Sequence, residues 1–115
     1  MGRGFVRSAG MHPIAKRAVE AVASSFLVSE DDILGRSRER LYTVPRFALY
    51  KILHDLGYGA AAVGRMIGRD HGTVGHGVRE ANYLLDANDW FAIKFDEAKD
   101  TLMNDSQVIA KARGE

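Results

Sequence analysis

Apolar residues recur along this chain at helical spacing, in stretches that begin and end on residues suited to the purpose. Pro13 opens PIAKRAVEAVASSF, where Ile14, Ala18, Val22 and Phe26 share one face and proline suits the first helical position. Ser29, followed by Glu30, Asp31 and Asp32, reads as the N-cap and acidic first turn of a short helix closed by Gly35. RSRERLYT, residues 36–43, is charged and short, and is predicted to be a loop. Pro45 then opens PRFALYKILHDL, with Phe47, Ile52 and Leu56 among its apolar positions and Gly57 as its stop. AAAVGRMI is a short helix ended by Gly68. Asp70 is placed to cap HGTVGHGVREANYLLD, and Asn88-Asp89 restarts the pattern in WFAIKFDEAKDTLM, where Phe91, Phe95, Ala98 and Leu102 recur. No stretch alternates with period two over strand length. The predicted fold is all-α.

The chain has 115 residues, the size of a single domain, and its 46% hydrophobic and 27% charged content supports an ordinary core. Residues 13–103 are expected to form that domain, between flexible segments at 1–12 and 104–115. Trp90, Phe91 and Phe95 are expected in the core. There is no cysteine, which excludes disulfides and thiolate metal sites and fits a reducing compartment. No apolar run reaches membrane-spanning length, so a soluble, cytoplasmic, nucleoid-associated protein is expected. The net charge of +1 names no partner, but its distribution is uneven. Residues 33–79 hold eight basic side chains against three acidic ones, whereas residues 80–115 hold four basic and eight acidic. A basic middle of this kind is the footprint of a face that meets a polyanion.

The segment GRDHGTVGHGVRE, residues 68–80, lies inside that basic region. It is not a phosphate loop, because no lysine follows its glycines and no strand precedes them. His71 and His76 are five apart and do not stack on one helix face, so no metal or cofactor is expected. An Asp-His pair without a nucleophile or a second carboxylate does not make an enzyme. A packed helix explains Val74 and Val78 as core, but leaves three glycines that each cost about 1 kcal/mol in a helix interior. Close approach of another surface is the usual compensation. A helix-turn-helix supplies one. Val63 and Ile67 face inward from the first helix with Gly64 between them, Gly68 makes the turn, and Val74 and Val78 anchor the second helix.

RDHGTVGHGVRE resembles the RDHTTVxHA motif of the C-terminal DNA-binding domain of DnaA, the bacterial replication initiator. An upstream basic loop, Pro45-Arg46 and Val63-Gly64 stand in the same order, so the resemblance covers about residues 13–103. It implies an all-α, Trp-repressor-like helix-turn-helix that binds duplex DNA. It also implies that Arg38 enters the minor groove, while Asp70, His71 and Thr73 read bases in the major groove. Gly72 occupies a base-reading position where the family has a threonine. Arg36, Arg40, Arg46 and Lys51 are candidate phosphate contacts, with Arg69 and Arg79 added; Arg65 and Arg79 fit a plain surface charge equally well. The chemistry agrees, since narrow minor grooves attract arginine and the Thr73 methyl suits a thymine methyl.

Gly72 departs from the family pattern, so the preferred site should diverge from the initiator's box, and Gly72→Thr should stabilise the helix. The links before Gly64 and Arg69 are each one residue shorter. No ATPase motif is present, and the expected protein is a free-standing domain of the kind found in phage-like elements. The expected function is sequence-specific transcriptional regulation. The alternatives are a replication-control factor at initiator-like sites, and a protein-interaction module using the aromatic C-terminal helix. A second protein, such as the transcription machinery, would meet that same helix.

Overall fold

The computed structural model describes residues 11–105, which form six helices and no strand. Of the expected flexible segments at 1–12 and 104–115, residues 1–10 and 106–115 lie outside the described residues. Their inner edges are described. Met11 is buried in the core, and His12 caps the first helix, its Nδ1 accepting from the Ile14 N–H at 3.1 Å. At the other end Asp105 pairs with Arg17 at 3.6 Å.

Local signals place most of the helices. Helix α1 (Pro13–Phe26) buries Ile14, Ala18, Val22 and Phe26. Helix α2 (Glu30–Leu34) is capped by Ser29, whose Oγ accepts from the Asp32 N–H at 3.0 Å. Helix α4 (Ala60–Ile67) stops at Gly68, whose φ of 71° favours glycine. Helix α5 (His71–Ala87) is capped by Asp70, and α6 (Asp89–Met103) by Asn88, which accepts from the Phe91 N–H at 2.9 Å.

Helix α3 (Arg40–Asp55) differs from the expectation, since it begins five residues before Pro45 and absorbs half of the predicted loop. Pro45 lies just beyond the first turn, where its missing N–H costs one bond to the Leu41 carbonyl. Burial of Pro45, Ala48, Leu49, Ile52 and Leu53 against the core outweighs that loss.

Helix α1 packs on α6 and α3, α3 on α5, and α4 on α5. Phe26 of α1 meets Phe91 of α6 at 5.8 Å between ring centroids, and Ala15, Ala18, Phe91 and Phe95 are all buried in the core that the two helices share. Ser25 Oγ donates to the Lys94 carbonyl across that seam at 2.6 Å. Trp90 is corrected from core to surface at 53% exposure, although its ring still meets Phe26 edge-on at 5.6 Å.

Two glycines are required by neighbours. A Cβ on Gly64 would run into the backbone carbonyl oxygen of Arg69, and one on Gly77 into the Tyr50 ring. Gly77 therefore lets α5 lie directly on α3. Gly75 and Gly72 face outward and have no such backbone or ring contact.

Candidate nucleic-acid interface

The α4–α5 turn is built around Arg69. Its N–H donates to the Gly64 carbonyl at 2.8 Å, and its carbonyl oxygen fills the space that a Gly64 side chain would need. The next residue, Asp70, turns one carboxylate oxygen onto the Gly72 N–H at 3.0 Å and holds the other 3.8 Å from His71 Nδ1. This cap fixes the start of α5, where an anion or a base edge would meet free backbone donors. Asp70, His71, Gly72 and Thr73 are all exposed there.

Beside that end of α5 lies a cleft of about 550 Å³. The α2–α3 loop contributes Arg36 and Arg38, α3 contributes Thr43, Phe47 and Tyr50, and the α5 end contributes Asp70, Thr73 and His76. Residues more than thirty positions apart thus converge. Arg36 and Arg38 are exposed, which leaves their guanidinium groups available. Arg79 is also exposed, and its Nη1 folds back over Gly75, at 3.5 Å from where a Cβ would stand.

Four of the expected phosphate contacts are placed otherwise. Arg46 is only 7% exposed, and its Nε, Nη1 and Nη2 donate to the carbonyls of Ile33 (2.7 Å), Ser37 (2.5 Å) and Asp32 (2.8 Å). Its guanidinium is committed to the protein. The end of the five-residue helix α2 supplies two of these carbonyls, of which that of Asp32 also accepts from the Gly35 N–H at 3.3 Å. Arg69 is half-buried and directs Nη2 onto the Leu34 and Gly35 carbonyls at 2.9 and 2.5 Å. Lys51 is taken up by Asp55 at 3.0 Å, which Lys99 also approaches at 3.3 Å. Arg40 lines a different groove, with Leu41, Val44, Leu84 and Trp90.

Burial lowers the Arg46 pKa from its ordinary value, with Tyr50 opposing and Arg69 adding to the shift. Burial raises that of Tyr50, opposed chiefly by the positive charge of Arg69. Tyr50 is thus the neutral inner wall of a positively charged cleft.

His76 was not among the expected site residues. It is exposed, lies one turn beyond Thr73 on the cleft side, and meets the Phe47 ring edge-on at 5.9 Å. Its spacing of three from Thr73 was the available signal. The Gly72 expectation also changes. A Cβ there would stand 2.9 Å from Asp70 Oδ2, so a side chain displaces the oxygen that caps the helix. Among the described residues no helix is long and apolar enough to cross a membrane, and no three acidic or histidine side chains group to hold a metal.

The family described as bacterial dnaA protein helix-turn-helix matches residues 15–80, which include α2, the basic loop, α3, α4 and the start of α5. Chromosomal replication initiator protein DnaA 1 of Chlamydia muridarum is 36% identical over 72 residues, and its namesake from Chlamydia trachomatis is 33% identical over 72. The similarity covers 62% of this chain but only 16% of the length of each of those proteins.

Proposed function

Because this chain belongs to the bacterial dnaA protein helix-turn-helix family, whose fold is a DNA-binding domain, we propose that it is a sequence-specific reader of duplex DNA acting as a small transcriptional regulator. The observation that carries the reading is the cleft, which sets exposed Arg36 and Arg38 beside the capped start of α5. A helix N-terminus with adjacent exposed polar side chains fits the major groove, and an arginine loop beside it fits the minor groove. In this reading Arg38 enters the minor groove, and Asp70, His71 and Thr73 meet base edges. His76 joins them one turn further along the groove. Gly72 leaves one base pair unread and lets the helix approach closely. Arg36 and Arg79 meet phosphates, with Arg65 beside them; Arg40, Lys51, Arg46 and Arg69 do not.

These contacts set the expected salt dependence. About three phosphate contacts give a slope of log K against log salt near −2.7, or roughly a fortyfold loss of affinity between 50 and 200 mM salt. A slope twice as steep would return the withdrawn basic residues to the interface, and a flat one would remove the electrostatic argument. Sequence is tested by enriching bound duplexes from a random pool. His71→Ala and Thr73→Ala should each cost on the order of 1–3 kcal/mol on the enriched duplex and little on random DNA. Equal losses on both would make these residues backbone positioners only.

A second reading, occupancy of initiator-like sites to control replication, is favoured by the similarity to chromosomal replication initiator proteins. Mapping bound sites across the genome separates the two, at promoters or at the origin. A protein partner of the regulator would meet exposed Trp90 and Ile93, since Phe91 and Phe95 are buried.

A further inference from the structure

The α2–α3 junction is held by an unusual amount of side chain. Within six residues, the carbonyls of Asp32, Ile33, Leu34, Gly35 and Ser37 all accept from just two guanidinium groups, those of Arg46 and Arg69. These carbonyls immediately precede or flank Arg36 and Arg38. The two arginines come from different places. Arg46 projects from α3, while Arg69 is the residue before the α5 cap. Arg69 is also pinned through its backbone, by its N–H on the Gly64 carbonyl and by the contact that excludes a side chain at Gly64. An unbroken series of contacts therefore runs from α4, through the Arg69 main chain and guanidinium, to the loop that carries Arg38.

We propose that Arg69 is a positioning residue that locks the arginine loop in register with the start of α5, so that the two grooves of a DNA site are read as one unit. The inference rests on the DNA-reading assignment above and adds a role that no phosphate contact would have. The chemistry of the contact is specific to arginine. A planar guanidinium can hold two successive carbonyls with one nitrogen while its charge lies beside Tyr50 in the cleft, whereas an ammonium is a single compact charge. Without that grip the loop keeps its charge but loses its fixed distance to Thr73. Binding to DNA in general then survives, and discrimination falls.

The test compares R69K with the wild-type chain on two duplexes, one enriched from a random pool by the wild-type protein and one scrambled duplex of equal composition. The positioning role predicts about a tenfold or greater loss on the enriched duplex and less than a twofold change on the scrambled one. It also predicts that Arg38→Ala costs less affinity in the R69K background than in the wild type, because an uncoupled arm has less to lose. A phosphate contact predicts the reverse, since lysine preserves the charge and both duplexes respond alike. Y50F is the second variant, removing the hydroxyl beside the guanidinium without altering charge; it should reduce discrimination in the same direction by a smaller factor. If R69K melts too low to assay, Y50F decides. Discrimination that survives in the assayed variant overturns the positioning role alone, whereas a wild-type chain that never distinguishes the two duplexes overturns the DNA-reading assignment and this inference with it.

Discussion

Replacing Arg46 by leucine is expected to destabilise the fold by about 3–5 kcal/mol, the cost of breaking a buried charged hydrogen-bond set. Arg46 is 7% exposed and satisfies three carbonyls, two of them at the end of helix α2, where that of Asp32 has a second donor in the Gly35 N–H. Leucine fills part of the volume and donates nothing, so the Ile33 and Ser37 carbonyls must find water in a largely closed site or pull the loop open, while that of Asp32 keeps the Gly35 N–H. The melting temperature should fall by roughly 15 °C or more, at 4–8 °C per kcal/mol for a domain of this size. Arg46→Lys should lie between the two, because an ammonium donates without the planar fork. Urea unfolding of the purified variants provides the check. If Arg46→Leu unfolds like the wild type and loses only DNA affinity, Arg46 belongs with the phosphate contacts after all.

The second large effect is expected at Gly64. Alanine normally stabilises a helix interior by about 1 kcal/mol over glycine, and α4 would ordinarily gain from it. Here the added Cβ collides with the Arg69 carbonyl oxygen, a main-chain atom held in place by the bond from the Arg69 N–H to the Gly64 carbonyl. Relief requires the whole turn to move, so Gly64→Ala should cost roughly 2–4 kcal/mol, as overpacking does. The same shift would tilt α5 away from the arginine loop, so discrimination between DNA sites should fall with stability. Gly75→Ala is the internal comparison. Its Cβ meets only Arg79 Nη1, at 3.5 Å, so it should stabilise by about 0.5–1 kcal/mol. Gly72→Thr should come out near zero, since the helix gain is offset by displacing the Asp70 cap, itself worth about 1 kcal/mol. Chemical denaturation of the three variants orders them. Equal behaviour of Gly64→Ala and Gly75→Ala would show that the turn yields without cost.

Much of the architecture was legible in the chain itself, because the information is local. Ser29, Asp70 and Asn88 cap helices with side chains that reach two or three residues ahead, and Gly68 ends one through its own backbone freedom. The α1 and α6 faces follow from a 3.6-residue period that any stretch of a dozen residues displays. The DnaA-like motif is local in the same way. It placed Thr73 and Asp70 at the start of α5, and the match over residues 15–80 bears out the family. Pro45 misled for a related reason, as its preference for a helix start is a local tendency of modest size. Burial of the surrounding turns, supplied by α1 and α5, overrode it.

What the amino-acid sequence determined by itself was the number and type of the elements, the turn between α4 and α5, and the residue types available to a polyanion. Only the tertiary structure decided which charges remain available. Arg36 and Arg46 are indistinguishable as arginines in a basic region, yet one is exposed and the other buried, because the carbonyls that claim Arg46 lie 9–14 residues away, and those that claim Arg69 lie 34 and 35 away. The glycines divide in the same manner: Gly64 and Gly77 are fixed by the Arg69 main chain and the Tyr50 ring, while Gly72 and Gly75 look outward. A long side chain, or an absent one, carries no label for its partner. Its role is set by whichever surface the fold brings within a few ångströms, and that depends on contacts between elements distant in the chain.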